Sequence, residues 1–231
     1  MHDNQVACVE PVARVRKRYV AGLLIVLVSE YAIRIVLLSG GTAPARVGIA
    51  MILEWLVLAL LLVVWLPRVE HLGPGSIGFG AFKLRHVWLA VLAYVAATAL
   101  FVLTGFLLPA VGLSPIGSLQ PMLAELGFPV LLGLFLTGTL LEEIFYRGYL
   151  IERLISLIGR PVIAGAASWL AFSAVHIVFF GLGPTIDVSI LAAALVALYL
   201  KERSIWPCIL LHGLNNAFAY LIVPLLLNLR P

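Results

Sequence analysis

Charged residues are scarce in this sequence of 231 residues, in which Asp, Glu, Lys and Arg make up 11% and apolar residues 63%. Soluble globular domains carry about 25% charged residues, so the composition excludes an ordinary soluble domain. The net charge of +4 is positive, but the basic residues lie in short clusters between apolar runs. That arrangement is typical of a membrane protein, and we expect no nucleic acid as a partner.

Cysteine is equally rare, with Cys8 in the N-terminal tail and Cys208 in a late apolar run. Two thiols so far apart in the sequence predict neither a disulfide framework nor a cysteine-rich metal site.

Long apolar runs are abundant, and Gly- and Pro-rich turns separate them. A transmembrane helix needs roughly 20 residues, and seven runs approach or exceed that length. The predicted spans are roughly residues 19–38, 48–66, 87–108, 128–153, 161–181, 185–200 and 205–228. We therefore predict an all-α fold, a polytopic transmembrane helix bundle of about seven spans in a lipid bilayer.

The basic clusters fall in alternate loops, which orients the predicted bundle. Lys and Arg are enriched in cytoplasmic loops, and the cluster at residues 14–18 precedes the first span. We therefore expect a multi-pass protein of the cytoplasmic (inner) membrane with its N-terminus in the cytoplasm.

Ionisable residues inside predicted spans are functional candidates, because they are costly in hydrocarbon. Glu30 and Arg34 are four residues apart on the first span, a spacing that favours a structural ion pair. Glu54 stands alone near the start of the second span, and the sequence assigns it no partner.

The segment LLEEIFYRG, residues 140–148, places two carboxylates and an arginine in the fourth span. Glu143 and Arg147 have the four-residue spacing of an ion pair. Glu142 points about 100° away on an α-helix and is left without an evident partner in its own helix. This division makes Glu142 the candidate general base and Glu143 with Arg147 its support. The alternative is that all three side chains only pair with other helices.

The fifth and seventh spans carry the remaining polar candidates. His176 follows Phe172 by one helical turn, and the two rings are expected to pack together. His212 and Asn216 share a helix face and offer two donors to one point, as an oxyanion hole requires. The alternative for these two residues is a polar contact that joins helices.

The three segments together, EEIFYR (142–147), FSAVH (172–176) and HGLNN (212–216), resemble the EExxxR, FxxxH and HxxxN motifs of the CPBP family of intramembrane proteases. This family is also called the CAAX prenyl protease 2, Rce1-like or abortive-infection (ABI) family. The resemblance covers about residues 120–228, with the motifs in the family's order. It divides the chain into a cytoplasmic tail (1–18), N-terminal transmembrane helices (19–119) and a catalytic membrane core (120–231).

The resemblance implies hydrolysis of a peptide bond in a membrane-associated peptide or protein substrate. Glu142 would activate water with help from His176, while His212 and Asn216 would stabilise the oxyanion. Glu143, Arg147 and Phe172 would support the site. The preferred mechanism requires no cofactor, but zinc held by Glu142, His176 and His212 is the alternative. The short chain looks prokaryotic, and neither the substrate nor the oligomeric state follows from the sequence.

Two other functions remain open at this point. One is a non-catalytic membrane immunity or scaffold protein of the same fold, in which the polar groups serve helix association. The other is a small transporter or proton pathway, which intramembrane Glu and His residues also suggest. The absence of a visible internal repeat counts against a transporter.

Overall fold

The structure, a computed structural model, describes residues 12–38, 43–115, 123 and 126–228. Regular structure within these residues is entirely helical, which confirms the predicted all-α fold. The seven long helices, in chain order, are α1 (Val12–Leu38), α2 (Pro44–Val69), α3 (Leu84–Ala110), α4 (Phe128–Ile158), α5 (Pro161–Phe180), α6 (Leu182–Glu202) and α7 (residues 206–228). A short 3₁₀ helix, Pro74–Ile77, lies between α2 and α3.

Each of the seven predicted spans coincides with one of these helices. Five of them, α2 to α6, are long and apolar enough to cross a membrane, so the chain is a multi-pass membrane protein. The other two carry polar groups near their middles, Glu30 and Arg34 in α1 and His212 and Asn216 in α7. Helix α1 begins at Val12, so residues 12–18 of the predicted tail are helical.

The outer surface of the bundle is apolar, as a bilayer requires. On α3, the side chains of Trp88, Leu92 and Phe106 are 63%, 66% and 76% exposed. Contiguous exposed apolar surface of this kind marks contact with a membrane or another apolar partner.

Proline and glycine set the helix boundaries. Pro44 and Pro161 lie in the first turns of α2 and α5, where the missing backbone N–H has no intrahelical role. Gly159 ends α4 with φ of 68°, a left-handed conformation that residues with a side chain rarely adopt.

Helix α4 is central, because it contacts α1, α2, α5 and α7. Two parts of it, Thr137–Leu141 and Glu143–Leu150, are π-helical and flank Glu142. Such segments bond residue i to residue i+5 and often mark functional sites. The separation of about 100° predicted for Glu142 and Glu143 therefore rests on a helix geometry that α4 does not have there.

A buried polar network fixes α4 to the connection after α2. Arg153 Nε donates to Glu70 Oε2 at 2.7 Å and its Nη2 donates to Ser76 Oγ at 3.1 Å, while the Tyr149 hydroxyl donates to Glu70 Oε1 at 2.5 Å. Arg153 is only 2% exposed. It is therefore a structural ion-pair partner within α4.

We predict that Gly148→Ala destabilises this end of the bundle. A Cβ at Gly148 would lie 2.8 Å from the Ile77 carbonyl oxygen, and backbone cannot yield as a side chain can. Overpacking of this kind costs about 1–3 kcal/mol, which lowers the unfolding midpoint of the detergent-solubilised protein. Gly105→Ala is the matched control, since its Cβ would meet no atom within 4 Å. Equal midpoints for the two variants would contradict the prediction.

Candidate active site

A cavity of about 120 Å³ lies among α1, α2, α4, α5 and α7. Its volume is enough for several water molecules. Most of its wall is apolar, and the polar side chains in the wall are Arg34, Glu54, Thr137, Glu142, His176 and Tyr220. Two of the predicted catalytic residues, Glu142 and His176, therefore share one cavity.

Glu142 is buried, and an arginine of another helix holds its carboxylate. Arg34 Nη2 of α1 donates to Glu142 Oε1 at 2.7 Å. The spacing predicted no partner for Glu142 within its own helix, and the partner that the structure shows comes from α1. The hydrogen bonds of Glu142 within the described residues all use Oε1, so Oε2 remains available to water in the cavity.

The same arginine binds two further carboxylates. Arg34 Nη2 lies 2.6 Å from Glu30 Oε1, which confirms the predicted pair within α1. Arg34 Nε donates to Glu54 Oε1 of α2 at 3.1 Å, and this contact gives Glu54 the partner that the sequence did not assign. One guanidinium therefore joins carboxylates of α1, α2 and α4.

A second ionic cluster lies around Glu143, which is fully buried. Glu143 Oε1 accepts a hydrogen bond from Arg147 Nη1 at 2.9 Å and lies 2.7 Å from His212 Nδ1. The predicted pair of Glu143 and Arg147 is confirmed, and His212 of α7 joins it.

These contacts determine which nitrogen of His212 is free. A carboxylate oxygen accepts, so Nδ1 of His212 carries the proton shared with Glu143. In the neutral ring Nε2 is then an acceptor. To donate to an oxyanion through Nε2, His212 must be an imidazolium, with the Glu143 carboxylate as its counter-ion.

Phe172 of α5 lies between the two histidines and the buried arginine. Its ring centroid is 4.4 Å from that of His176 and 6.1 Å from that of His212. The Arg147 guanidinium carbon lies 4.3 Å from the same centroid, close enough for a cation–π contact. The ring thus fixes the spacing of the polar groups around it.

His176 Nδ1–H donates a hydrogen bond to the Phe172 carbonyl oxygen at 2.7 Å. In the neutral ring this leaves Nε2 as a proton acceptor. Because His176 also lines the cavity, its basic nitrogen is placed to bind water beside Glu142.

His212 and Asn216 lie behind the cavity wall and are not among its lining residues. Of the four side chains predicted to be catalytic, Glu142 and His176 therefore line the cavity, and His212 and Asn216 do not. Asn216 is buried against Gly138, which does line the cavity; a Cβ there would be 2.6 Å from Asn216 Nδ2. The two side chains are 4% exposed and lie inside the bundle, so they remain next to the site.

In the alternative mechanism, Glu142, His176 and His212 are the side chains predicted to hold zinc. Within residues 12–38, 43–115, 123 and 126–228, no three His, Cys, Asp or Glu side chains form a group that could bind a metal ion. The predicted set of Glu142, His176 and His212 is not such a group.

The fold and the buried site define a multi-pass helical membrane protein with a cavity between its helices that Glu142 and His176 line. Residues 124–218 match the model of a family described as Type II CAAX prenyl endopeptidase Rce1-like. The match confirms the family resemblance predicted from the three motifs, over less than half of the chain. Comparison with curated proteins and with solved structures gave no match.

Arg34 and Glu54 are charged residues of the cavity that sequence reasoning did not connect with the site. Both lie outside the matched residues 124–218. A signal for them did exist, since an unpaired Glu54 in an apolar helix needs a buried partner. Which cation supplies it depends on helix packing, and the sequence does not specify that.

We predict that Glu143→Gln destabilises the protein strongly. The substitution leaves Arg147 buried without its anionic partner, and breaking a buried ion pair costs about 3–5 kcal/mol. Thermal unfolding of the detergent-solubilised protein measures the loss.

Glu152→Gln is the matched control for Glu143→Gln. Glu152 also bonds an arginine, Arg203, but that guanidinium is 44% exposed, and exposed pairs contribute about 0–1 kcal/mol. A Glu143→Gln variant as stable as Glu152→Gln would show that the buried pair does not hold the helices together.

Proposed function

We propose that this protein is an intramembrane endopeptidase in which Glu142, assisted by His176, activates water to hydrolyse a peptide bond of a membrane-associated substrate. The observation that carries the proposal is the shared cavity, into which Glu142 and His176 bring two basic groups and water fits beside them. The match to an endopeptidase family over residues 124–218 supports the reaction class.

The first step is attack of water on the substrate carbonyl carbon. The Glu142 carboxylate takes one proton from the water through Oε2. His176 Nε2 accepts a hydrogen bond from the other O–H of the water and so orients the nucleophile. The hydroxyl forms the new C–O bond, and the carbonyl oxygen becomes an oxyanion. General base catalysis of this kind contributes about 10²–10⁴-fold.

The donors proposed for the oxyanion are Asn216 and His212, which lie behind the cavity wall. Asn216 Nδ2 is buried and has no hydrogen-bond partner among the described residues, while Asn216 Oδ1 accepts from Asn215 Nδ2 at 3.4 Å. His212 in its imidazolium form offers Nε2–H as a second donor. Collapse of the intermediate breaks the C–N bond, and the proton held by Glu142 passes to the leaving amine.

The route to the cavity supports a substrate that comes from the membrane. A groove between α2 and α4 is lined by Gly48, Met51, Ile52, Trp55, Leu56, Gly133 and Thr137. Met51 and Thr137 also line the cavity. Ile52 and Leu56 are exposed on α2, so the groove faces lipid and a bilayer segment has a short path to Glu142.

We further propose that the protein lies in the cytoplasmic membrane with its N-terminus inside the cell. The cluster of Arg14, Arg16, Lys17 and Arg18 at the start of α1 supports this orientation by the positive-inside rule. The mechanism is also proposed to need no metal, with Glu142 itself as the base that activates water.

We predict that Glu142→Gln abolishes proteolysis in native host membranes. Mass spectrometry of protein termini in membrane and secreted fractions should reveal new termini with wild type that vanish with Glu142→Gln. Glu152→Gln, whose glutamate lies outside the cavity, should give the wild-type termini.

Two further readings of this comparison test the proposal. Wild-type membranes treated with a chelator should keep the new termini, and their loss would point to a metal. Identical termini for wild type and Glu142→Gln, with both proteins folded and expressed, would favour an immunity or scaffold protein instead.

We predict that Gly138→Ala lowers activity by displacing Asn216. The new Cβ would lie 2.6 Å from Nδ2, so the amide must turn away from the cavity wall. Loss of one oxyanion donor costs about 10²–10³-fold in kcat. Gly105→Ala is the control, and wild-type kcat in a folded Gly138→Ala variant would exclude Asn216 from the reaction.

A further inference from the structure

Arg34 lies in α1, outside residues 124–218, yet it contacts the candidate general base directly. The three carboxylates around it come from three helices, and the side chain of Arg34 is 13% exposed while those of Glu30, Glu54 and Glu142 are 1%, 5% and 8% exposed. This is a nearly closed site with one cation and three acids. Arg34 can neutralise only one of the three carboxylates, so charge pairing alone does not explain why all three surround it.

The contacts fix the guanidinium in a defined orientation. Arg34 Nε bonds Glu54 at 3.1 Å, and Nη2 lies 2.6 Å from Glu30 and 2.7 Å from Glu142. Guanidinium is planar and presents its donors in a rigid fork. Anchored by Glu54 and Glu30, the fork presents one N–H to Oε1 of Glu142 from a fixed direction.

This contact determines which Glu142 oxygen faces the reaction. With Oε1 bound to Arg34, the carboxylate plane is set and Oε2 is left to the cavity, where His176 also lies. Without Arg34, the carboxylate would lose both its nearest cation and its orientation in an apolar bundle, where an unpaired charge is strongly disfavoured.

We propose that Arg34 is a positioning residue of the reaction, which holds the Glu142 carboxylate charged and oriented toward the attacking water, and that Glu30 and Glu54 serve to hold Arg34. This inference rests on the proposed function. It assigns part of the active site to the two N-terminal helices, so residues 124–218 do not form a complete site by themselves.

The test uses the full-length protein reconstituted in phosphatidylcholine–phosphatidylglycerol vesicles. The probe is a fluorogenic peptide built on the cleavage sequence identified from wild-type host membranes. Arg34→Gln should lower kcat about 100-fold, since misplacement of a catalytic group by about 1 Å costs that much, with KM unchanged. Arg34→Lys keeps the charge but loses the fork, and should lose about tenfold in kcat. Arg46→Gln, at an exposed arginine at the start of α2, should match wild type.

A second readout does not depend on substrate. Dicyclohexylcarbodiimide modifies protonated carboxyl groups in apolar surroundings, and peptide mass spectrometry locates the modified residue. Labelling of Glu142 should be low in wild type and Arg46→Gln and should rise severalfold in Arg34→Gln. Arg34→Lys should lie between them, and because it retains a cation it also serves if Arg34→Gln fails to fold.

The outcomes separate this inference from the proposed function. Wild-type kcat in a folded Arg34→Gln or Arg34→Lys variant, or unchanged labelling of Glu142, overturns the role of Arg34 while Glu142→Gln remains inactive. Cleavage retained by Glu142→Gln, or the absence of any wild-type cleavage, overturns the proposed function itself.

Discussion

The arrangement of the candidate site depends on the ion pair and hydrogen bonds of the Glu143 carboxylate. It receives Arg147 from its own helix and His212 from α7, while Arg147 lies over Phe172 of α5. An unpaired charge in an apolar interior is strongly disfavoured, so these three helices have little freedom to separate. Phe172 also holds His176 on the cavity side of this cluster. The two rings are in contact, and the Phe172 carbonyl oxygen accepts a hydrogen bond from His176.

Arg34 plays the corresponding part for the N-terminal helices. It connects α1 and α2 to Glu142, so the cavity has walls from both halves of the chain. The two adjacent glutamates thus belong to different ionic clusters. Glu143 lies in the cluster behind the cavity, and Glu142 lies in the Arg34 cluster at the cavity wall. Glu143 joins α4 to α7, and Glu142 lines the cavity.

Much of this organisation was predictable from the sequence. The apolar runs located seven helices because a bilayer demands long apolar segments, and α4 and α5 begin at the predicted residues 128 and 161. The four-residue spacing identified the pair of Glu143 and Arg147 and the pair of Glu30 and Arg34.

Contacts between helices were not predictable in the same way. The partner of Glu142, the buried role of Arg153 and the position of Asn216 behind Gly138 all depend on how helices pack, and spacing within one helix does not encode that packing. The π-helical segments of α4 also depend on this environment.

The central claim is that water activated by Glu142 attacks the peptide bond directly. A single-turnover reaction of the reconstituted protein in ¹⁸O-labelled water containing hydroxylamine tests it most directly. The account predicts a product whose new carboxylate carries one ¹⁸O atom, with no hydroxamate. A hydroxamate at the cleavage site would reveal an acyl-enzyme, and with it attack by a side chain rather than by water.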